Sequence, residues 1–324
     1  MSRRCRRWVA GVFALALCTG ADAKDFKLGL IVPGSHAWSQ AAERMGEALE
    51  KRSDGEHTVS IFPSGQLGDE SQMMRQLQTG ALDMAFLTVA EMSNRVTDFG
   101  ALYAPYLADN VAEADTLLHA DTAQGLLEQL PRKAGVVGIG YGIATMRLML
   151  TTYGIDDVGD IDGHKMRITP FDPIKDFYNI LGAASTPMPL TDVYDAMANG
   201  QVDGVDADIE LVWKLNLYDH ADTLLYSNHM MFPMVGVVSG RVWANLGEAD
   251  RKLVREAMSA SLDSLFDQYV EVTEEMRRKV EGTDVEIMEV GPEFFGEKLD
   301  VWEQRWRERT PVLEELRADA ERLL

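Results

Sequence analysis

The hydrophobic positions along this chain switch every few residues between the spacing of a strand and that of a helix. Apolar runs predict strands at 25–32, 57–63, 81–88, 134–142, 164–169 and 201–208. Apolar positions three and four apart predict helices at 37–53, 69–80, 172–181 and 191–200. Strands that alternate with helices are typical of an α/β protein with parallel strand pairing, which is therefore the predicted fold class.

Two segments repeat one short pattern, a helix that ends at a glycine followed by an aliphatic residue and an aspartate. The matching positions are Leu77, Gly80, Leu82 and Asp83 in the first segment, and Met197, Gly200, Val202 and Asp203 in the second. A repeated unit of this kind predicts two similar lobes, each with its own sheet. Chance similarity between two helix ends remains the alternative.

The last third of the chain is highly charged and has helical periodicity almost throughout, from 248 to 281 and from 292 to 324. A helix of more than 30 residues without a proline is unusual in a globular domain. No clean heptad persists along it, so a coiled coil is disfavoured. We expect one long helix that lies across both lobes.

The first 23 residues have the pattern of a secretory signal peptide, with four arginines, an apolar run and a small-residue cleavage site after Ala23. No later segment approaches the roughly 20 apolar residues of a membrane span. Both cysteines, Cys5 and Cys18, lie inside this segment, and Leu17 before Cys18 disfavours a lipid anchor. The mature chain would therefore have no thiol chemistry and no cysteine-based metal site.

The formal net charge of the chain is −21, and the first 23 residues carry +3, so the mature chain would carry −24. Nucleic acid and anionic membranes are therefore poor partners. The chain has no G-x-S-x-G elbow, H-E-x-x-H pair or Walker loop, and "GIGYGI" at 138–143 lacks the third glycine of a dinucleotide fingerprint. We expect neither an enzyme nor a cofactor.

Two further patterns have both a functional and a structural interpretation. "GHKMRITP" at 163–170 predicts a strand that ends beside Arg167, either below a ligand crevice or as a surface cation. Asp206, Asp208 and Glu210 form a D-x-D-x-E run that could bind a cation, although it lacks the glycine and the distal glutamate of an EF-hand. The alternative for this run is a solvated or helix-capping acidic segment.

Five motifs in order along the chain carry a resemblance to a known family: "FPSGQLGDE" (62–70), "GALDMAF" (80–86), "HKMRITP" (164–170), "LGAASTPMPLTDVYDAMANGQVDGVD" (181–206) and "SNHMMFP" (227–233). Together they resemble the substrate-binding proteins of tripartite ATP-independent periplasmic (TRAP) transporters, of the C4-dicarboxylate-binding type. The resemblance implies a two-lobed periplasmic binding protein, type II-like, with a long helix spanning both lobes and a ligand between them. On this basis we place the N-lobe at 24–144 plus 233–270 and the C-lobe at 145–232 plus 271–324.

The resemblance also implies a set of ligand-binding residues. Arg167, at the end of the strand that matches "KMR", would hold the ligand carboxylate, as a planar guanidinium fits a carboxylate fork. Each of the other positions could instead have a purely structural role: Arg147, Glu70, Thr88, Val89, Phe171, Tyr194, His36 and Trp38.

One motif departs from the family pattern. Where the family commonly has "DGQENP", this chain has "DGVDAD" at 203–208, so Ala207 replaces an asparagine and Asp208 replaces a proline. The departure removes a ligand donor and adds an acid. Asp206 and Asp208, with Trp213 nearby, could therefore bind an amine or a zwitterion.

The resemblance implies an extracytoplasmic solute receptor in the periplasm. It would bind a small organic acid, such as a uronate, an aldonate or a short hydroxy acid, in the cleft between the lobes. It would deliver this ligand to a membrane permease of a small and a large subunit. The alternatives are the same fold binding an amine or zwitterion, and a ligand sensor partner. We expect a monomer.

Overall fold

The computed structural model describes residues 23–324, so the predicted signal peptide up to residue 22, with its two cysteines, lies outside the described residues. The strands are β1 (Lys24–Gly29), β2 (His57–Phe62), β3 (Met84–Thr88), β4 (Val136–Met146), β5 (Leu148–Thr151), β6 (Lys165–Ile168), β7 (Ala184–Pro187), β8 (Gly204–Ala207), β9 (Thr223–Tyr226), β10 (Met231–Ser239) and β11 (Glu286–Glu289). They fall at or beside each of the predicted strand positions.

The α-helices are α1 (Ala37–Arg52), α2 (Glu70–Thr79), α3 (Val89–Ser93), α4 (Val111–Leu118), α5 (Asp121–Leu127), α6 (Leu130–Lys133), α7 (Asp172–Leu181), α8 (Val193–Ala198), α9 (Ile209–Lys214), α10 (Gly240–Asn245), α11 (Glu248–Glu281), α12 (Pro292–Phe295), α13 (Lys298–Arg309) and α14 (Val312–Leu323). Short 3₁₀ turns lie at Thr97–Tyr103, Val158–Ile161, Leu190–Asp192 and Leu217–His220. No helix of residues 23–324 combines the length and the apolar character that a membrane crossing requires.

The strands form two mixed sheets, one in each lobe. The N-lobe sheet has five strands in the order β2-β1-β3-β10-β4, and the C-lobe sheet has six in the order β11-β9-β5-β8-β6-β7. The α/β class is confirmed, but the predicted parallel pairing holds for only some of the strand pairs. β10 is antiparallel to β3 and β4, and β5 is antiparallel to β8 and β9. The reason is that β4 runs directly into β5, and β9 leads into β10, so the chain passes between the sheets without a crossover helix.

The repeated sequence pattern occupies the same structural position in both lobes. Gly80 and Gly200 have left-handed φ angles of 80° and 63°, which glycine adopts without a steric penalty. The Asp83 carboxylate accepts a hydrogen bond of 2.9 Å from the backbone N–H of Lys27 on β1. Asp203 accepts one of 2.8 Å from Lys165 on β6. In each lobe the aspartate therefore ties the start of its strand to the neighbouring parallel strand.

Helix α11 matches the predicted bounds and contacts elements of both lobes. Gln268 accepts from Arg44 of α1, with an N–O distance of 2.7 Å, on the N-lobe side. One residue later, the Tyr269 hydroxyl donates to Glu210 of α9, at 2.7 Å, on the C-lobe side. The final helix α14, in the part of the chain that the sequence assigned to the C-lobe, packs against α4 and α5. The exact lobe boundaries stay a prediction.

Candidate ligand cleft between the lobes

Two adjoining cavities lie between the N-lobe and the C-lobe. The outer cavity has a volume of about 530 Å³. It is lined by Ile31, Gly65 and residues 68–72 of the N-lobe and by Arg167 and residues 169–171 and 187–191 of the C-lobe. The inner cavity, of about 30 Å³, continues between His36, Trp38, Thr88, Arg147 and Asp208. Arg167 and Thr169 line both cavities. A ligand in this cleft would therefore touch both lobes.

Arg167 is a buried cation at the boundary between the two cavities. It lies on β6, and its side chain is 3% exposed. Its Nη2 and Nε donate to the Met188 carbonyl at 2.9 and 3.2 Å, and its Nη1 donates to the Asp206 carbonyl at 3.2 Å. Among residues 23–324, no carboxylate lies within ion-pair distance of this guanidinium. Burial, followed by repulsion from Arg147, lowers the pKa of Arg167 to about 10. The charged form is therefore costly until an anion arrives.

Arg147, in contrast, is already neutralised. It lies where β4 runs into β5 and is 1% exposed. Its Nε donates to Asp206 Oδ1 at 2.6 Å and its Nη2 pairs with the same carboxylate, while its Nη1 lies 3.4 Å from Asp208 Oδ2. The guanidinium carbon also lies 4.2 Å from the ring centre of Phe232. Arg147 and Arg167 therefore offer a ligand very different electrostatic surroundings.

Asp206 is an organising group behind the cavities rather than a part of their lining. It is fully buried, and its Oδ2 accepts from the Tyr178 hydroxyl at 2.9 Å and lies 3.2 Å from His229 Nε2. Burial alone would raise the pKa of Asp206, but Arg147 and His229 outweigh it and lower the pKa to about 2. Asp206 is therefore ionised and fully engaged by protein groups.

Asp208 and Glu210 follow Asp206 but face different partners. Asp208 lines the inner cavity, caps α9 by accepting from the Leu211 N–H at 3.0 Å, and pairs with Arg147. Burial raises the pKa of Asp208, against the attraction of Arg147. Glu210 faces α1 and α11 instead. Within residues 23–324 no group of three or more metal-ligating side chains forms a cation site, so the D-x-D-x-E run does not converge.

Glu210 joins the two lobes and the long helix. It is fully buried, and its Oε1 accepts from the backbone N–H of Ala37 at 3.0 Å, at the N-terminus of α1. Its Oε2 lies 3.1 Å from His36 Nε2 and accepts from Tyr269 at 2.7 Å, while Lys214 lies 2.7 Å from Oε1. Burial lowers the pKa of His36 despite the nearby Glu210. This carboxylate therefore fixes the N-lobe against the C-lobe beside the cleft.

Glu70 forms the N-lobe wall of the outer cavity. It is 6% exposed, and its two oxygens accept from the backbone N–H and the hydroxyl of Thr88 at 2.5 and 2.8 Å. Burial raises the pKa of Glu70 to about 8. A carboxyl that keeps its proton at neutral pH does not repel an anionic ligand as an ionised one would.

The remaining sequence candidates divide between the cleft and other sites. Phe171 lines the outer cavity, and Trp38 lines the inner one while its Nε1 donates to the Ile143 carbonyl at 2.8 Å. Trp213 lies outside both cavities because it stacks on Tyr218, with ring centres 4.9 Å apart. Likewise outside, Tyr194 is 40% exposed, and Val89 is buried in α3.

Several cleft residues were missed by the sequence reasoning. The most prominent group is the end of β7 and the segment after it, residues 187–191, which forms a mainly apolar side of the outer cavity and supplies the Met188 carbonyl to Arg167. Phe232, beneath Arg147, lies inside the quoted motif "SNHMMFP". The dense prolines of 187–189 and that motif were the available signals.

Comparison with known proteins identifies the family. The model of the bacterial extracellular solute-binding proteins, family 7, matches residues 28–309. The chain belongs to this family. A relative, a solute-binding protein of Roseobacter denitrificans, is 26% identical over 275 residues, which cover 85% of this chain and 84% of that protein.

Two solved structures of solute-binding proteins share the two-lobed fold. The sugar acid binding protein DctPAm from Advenella mimigardefordensis, in complex with galactonate, superposes with a TM-score of 0.88 at 23% identity, covering 94% of this chain and 100% of that one. A TRAP periplasmic solute binding protein from Bradyrhizobium, in complex with galacturonate, has a TM-score of 0.86 at 26% identity and covers 91% and 100% of the two chains. The predicted fold and family are thereby confirmed.

Proposed function

We propose that this family 7 protein is the extracytoplasmic receptor of a TRAP-type transporter and binds a small organic acid between its lobes, with Arg167 holding the carboxylate. The observation that carries the proposal is the state of Arg167 itself. A guanidinium that is 3% exposed faces two cavities and, among residues 23–324, has only backbone carbonyls as partners. A buried cation of this kind gains most from a ligand that brings a carboxylate.

The ligand class follows from the family and from the cleft. Galactonate and galacturonate, which two of the neighbours hold, are hydroxylated acids. The outer cavity offers Glu70, Gln72 and Thr191 as polar partners for hydroxyl groups. We therefore favour uronates, aldonates and short hydroxy acids. The proposed function has two further parts. The protein is exported to the periplasm through the signal pattern of residues 1–23, and it delivers its ligand to the small and large subunits of a membrane permease.

A thermal-shift screen of organic acids followed by titration calorimetry tests the proposal. The protein should first be unfolded, dialysed and refolded to remove any ligand carried through purification. We expect at least one acid to raise the melting temperature and to bind with a one-to-one stoichiometry. The variant Arg167→Met should abolish this response. A screen in which no organic acid binds would contradict the proposed function.

The amine or zwitterion alternative has one supporting observation, the Asp208 carboxylate in the wall of the inner cavity. Asp206, the other carboxylate that was expected to bind the amine, contacts Arg147, Tyr178 and His229 instead. Amines in the same screen test this alternative directly. The sensor alternative is tested by asking whether the neighbouring genes encode multi-spanning membrane proteins.

A further inference from the structure

The charges that line the cleft are unevenly matched. Among the described residues that line the two cavities, the basic side chains are Arg167, Arg147 and His36. His36 lies against Glu210, and burial lowers its pKa. The number of anionic groups that a ligand can bring is therefore set by the two arginines and by the carboxylates that already face them.

Asp206 and Asp208 both approach Arg147. Asp206 pairs with Nη2 and accepts from Nε, and Asp208 Oδ2 lies 3.4 Å from Nη1. One carboxylate suffices to neutralise one guanidinium. Asp208 therefore adds a second negative charge, and it stands in the wall of the inner cavity that Arg167 also lines. Asp208 is the last residue of "DGVDAD", at the position where the family pattern "DGQENP" has a proline.

We propose that Asp208 sets the charge of the ligand: Asp206 already neutralises Arg147, so the second negative charge of Asp208 opposes any further anionic group and restricts the cleft to acids with a single carboxylate, which Arg167 holds. This inference rests on the proposed function, since it concerns the same cleft. The remaining walls agree with it. The outer cavity is lined by Asp69 and Glu70 on one side and by apolar residues such as Phe171, Met188 and Leu190 on the other. Among the described lining residues, neither side offers a cation to a second carboxylate, and an ionised group buried without a counter-charge is costly.

Wild-type selectivity is measured with matched pairs of acids that differ by one terminal carboxylate. The pairs are galactonate with galactarate, butyrate with succinate, and hexanoate with adipate. Titration calorimetry should show the monocarboxylate of each binding pair at least about tenfold tighter than its dicarboxylate, a difference of about 1.4 kcal/mol. This measurement needs no variant, so it does not depend on the folding of a mutant.

The role of Asp208 is then tested with Asp208→Asn. Asparagine is also a good N-cap, so the α9 hydrogen bond to Leu211 can be kept. Because electrostatic gain scales with the charge of the ligand, a factor of about three for the monocarboxylate corresponds to about ten for the dicarboxylate. The preference for the monocarboxylate should therefore shrink. Asp300→Asn, an exposed change of the same net charge on α13, should leave the ratio unchanged.

The outcomes separate this inference from the proposed function. A dicarboxylate that binds the wild type as tightly as its monocarboxylate overturns the inference and leaves the organic-acid receptor standing. An unchanged ratio in folded Asp208→Asn overturns the role of Asp208. If none of the six acids and no other organic acid binds, the proposed function fails and the inference fails with it.

Discussion

Replacing Arg167 with lysine separates the charge of this residue from its shape. The arginine donates to the Met188 carbonyl on one side and to the Asp206 carbonyl on the other, which orients its planar head between β7 and β8. Lysine keeps the charge but has no planar fork, so it cannot give a carboxylate two parallel hydrogen bonds. Arg167→Lys should therefore fold and close, yet bind the acid more weakly.

The size of the effect can be worked from the buried state of the residue. The pKa of Arg167 is lowered to about 10, against about 12.5 for a free arginine, which corresponds to about 3 kcal/mol against the charged form. A bound carboxylate offsets this cost. The loss of one charge-assisted hydrogen bond is worth about 1.5–3 kcal/mol, or roughly 10- to 150-fold in affinity.

Titration calorimetry with the tightest acid from the screen measures this change. Arg52→Lys is the matched control, because Arg52 is 45% exposed and pairs on the surface with Glu256. It should bind like the wild type. Arg167→Met should also keep its melting temperature within a few degrees, since relief of a buried charge offsets the loss of the two carbonyl partners. Wild-type affinity in Arg167→Lys would refute the carboxylate role. A severe loss in Asp208→Asn with a mild one in Arg167→Lys would favour the amine alternative, because Asp208 is the acid that lines the inner cavity.

Three further predictions concern closure, pH and export. Ligand should lower the radius of gyration in small-angle scattering, and no compaction at saturation would contradict this. Glu210→Gln should weaken both closure and affinity by about tenfold. The control Glu256→Gln, at an exposed site, should change neither. The folded pKa of Glu70 is raised to about 8, so the wild type should lose stability as the pH rises from about 4.3 to 8. The melting temperature of Glu70→Gln should depend less on pH over this range. Parallel curves of melting temperature against pH for the two proteins would contradict this prediction. The intact mass of the exported protein should correspond to a chain that begins at Lys24, and a lipid adduct on Cys18 would show the signal-peptide interpretation to be wrong.

Local signals predicted the elements of this fold closely because each rests on contacts within a few residues. The α2 helix begins at the Asp69 and Gln72 capping box and ends at Gly80, and both signals are visible in the sequence. The 34-residue α11 also has the bounds that its charged periodicity indicated. The repeated aspartates were recognised, and the structure gives them one shared role, at Lys27 and at Lys165.

The direction of a strand within its sheet depends on distant parts of the chain, and local signals did not predict it. Parallel pairing was wrongly predicted for some strand pairs, and this also affected the interpretation of the site. The local residue pattern of a strand that follows a crossover helix is the same as that of a strand that enters directly from the other lobe. The pattern therefore does not indicate whether the strand pairs in parallel or antiparallel. β5 is antiparallel to β8, with Leu148 opposite Ala207, which places the preceding Arg147 level with Asp208. Under the parallel pairing that the alternation suggested, this register would not arise. The sequence therefore did not show that the acids at 206 and 208 pair with Arg147, and it left them as candidates for a ligand, a cation or a helix cap, of which Asp208 forms the cap of α9.

The two arginines show most clearly what sequence alone could not decide. Both end or border a strand, both are followed by apolar residues, and both match positions that the family resemblance assigns to the ligand. They differ in their relation to one strand. Arg147 meets β8 in antiparallel register and reaches two carboxylates, whereas Arg167 meets β8 in parallel register, opposite Val205, and reaches only a backbone carbonyl there. One guanidinium therefore becomes part of the scaffold, and the other is left with its charge directed into the cleft, which is why the ligand should be sought among anions and why it should bring one carboxylate.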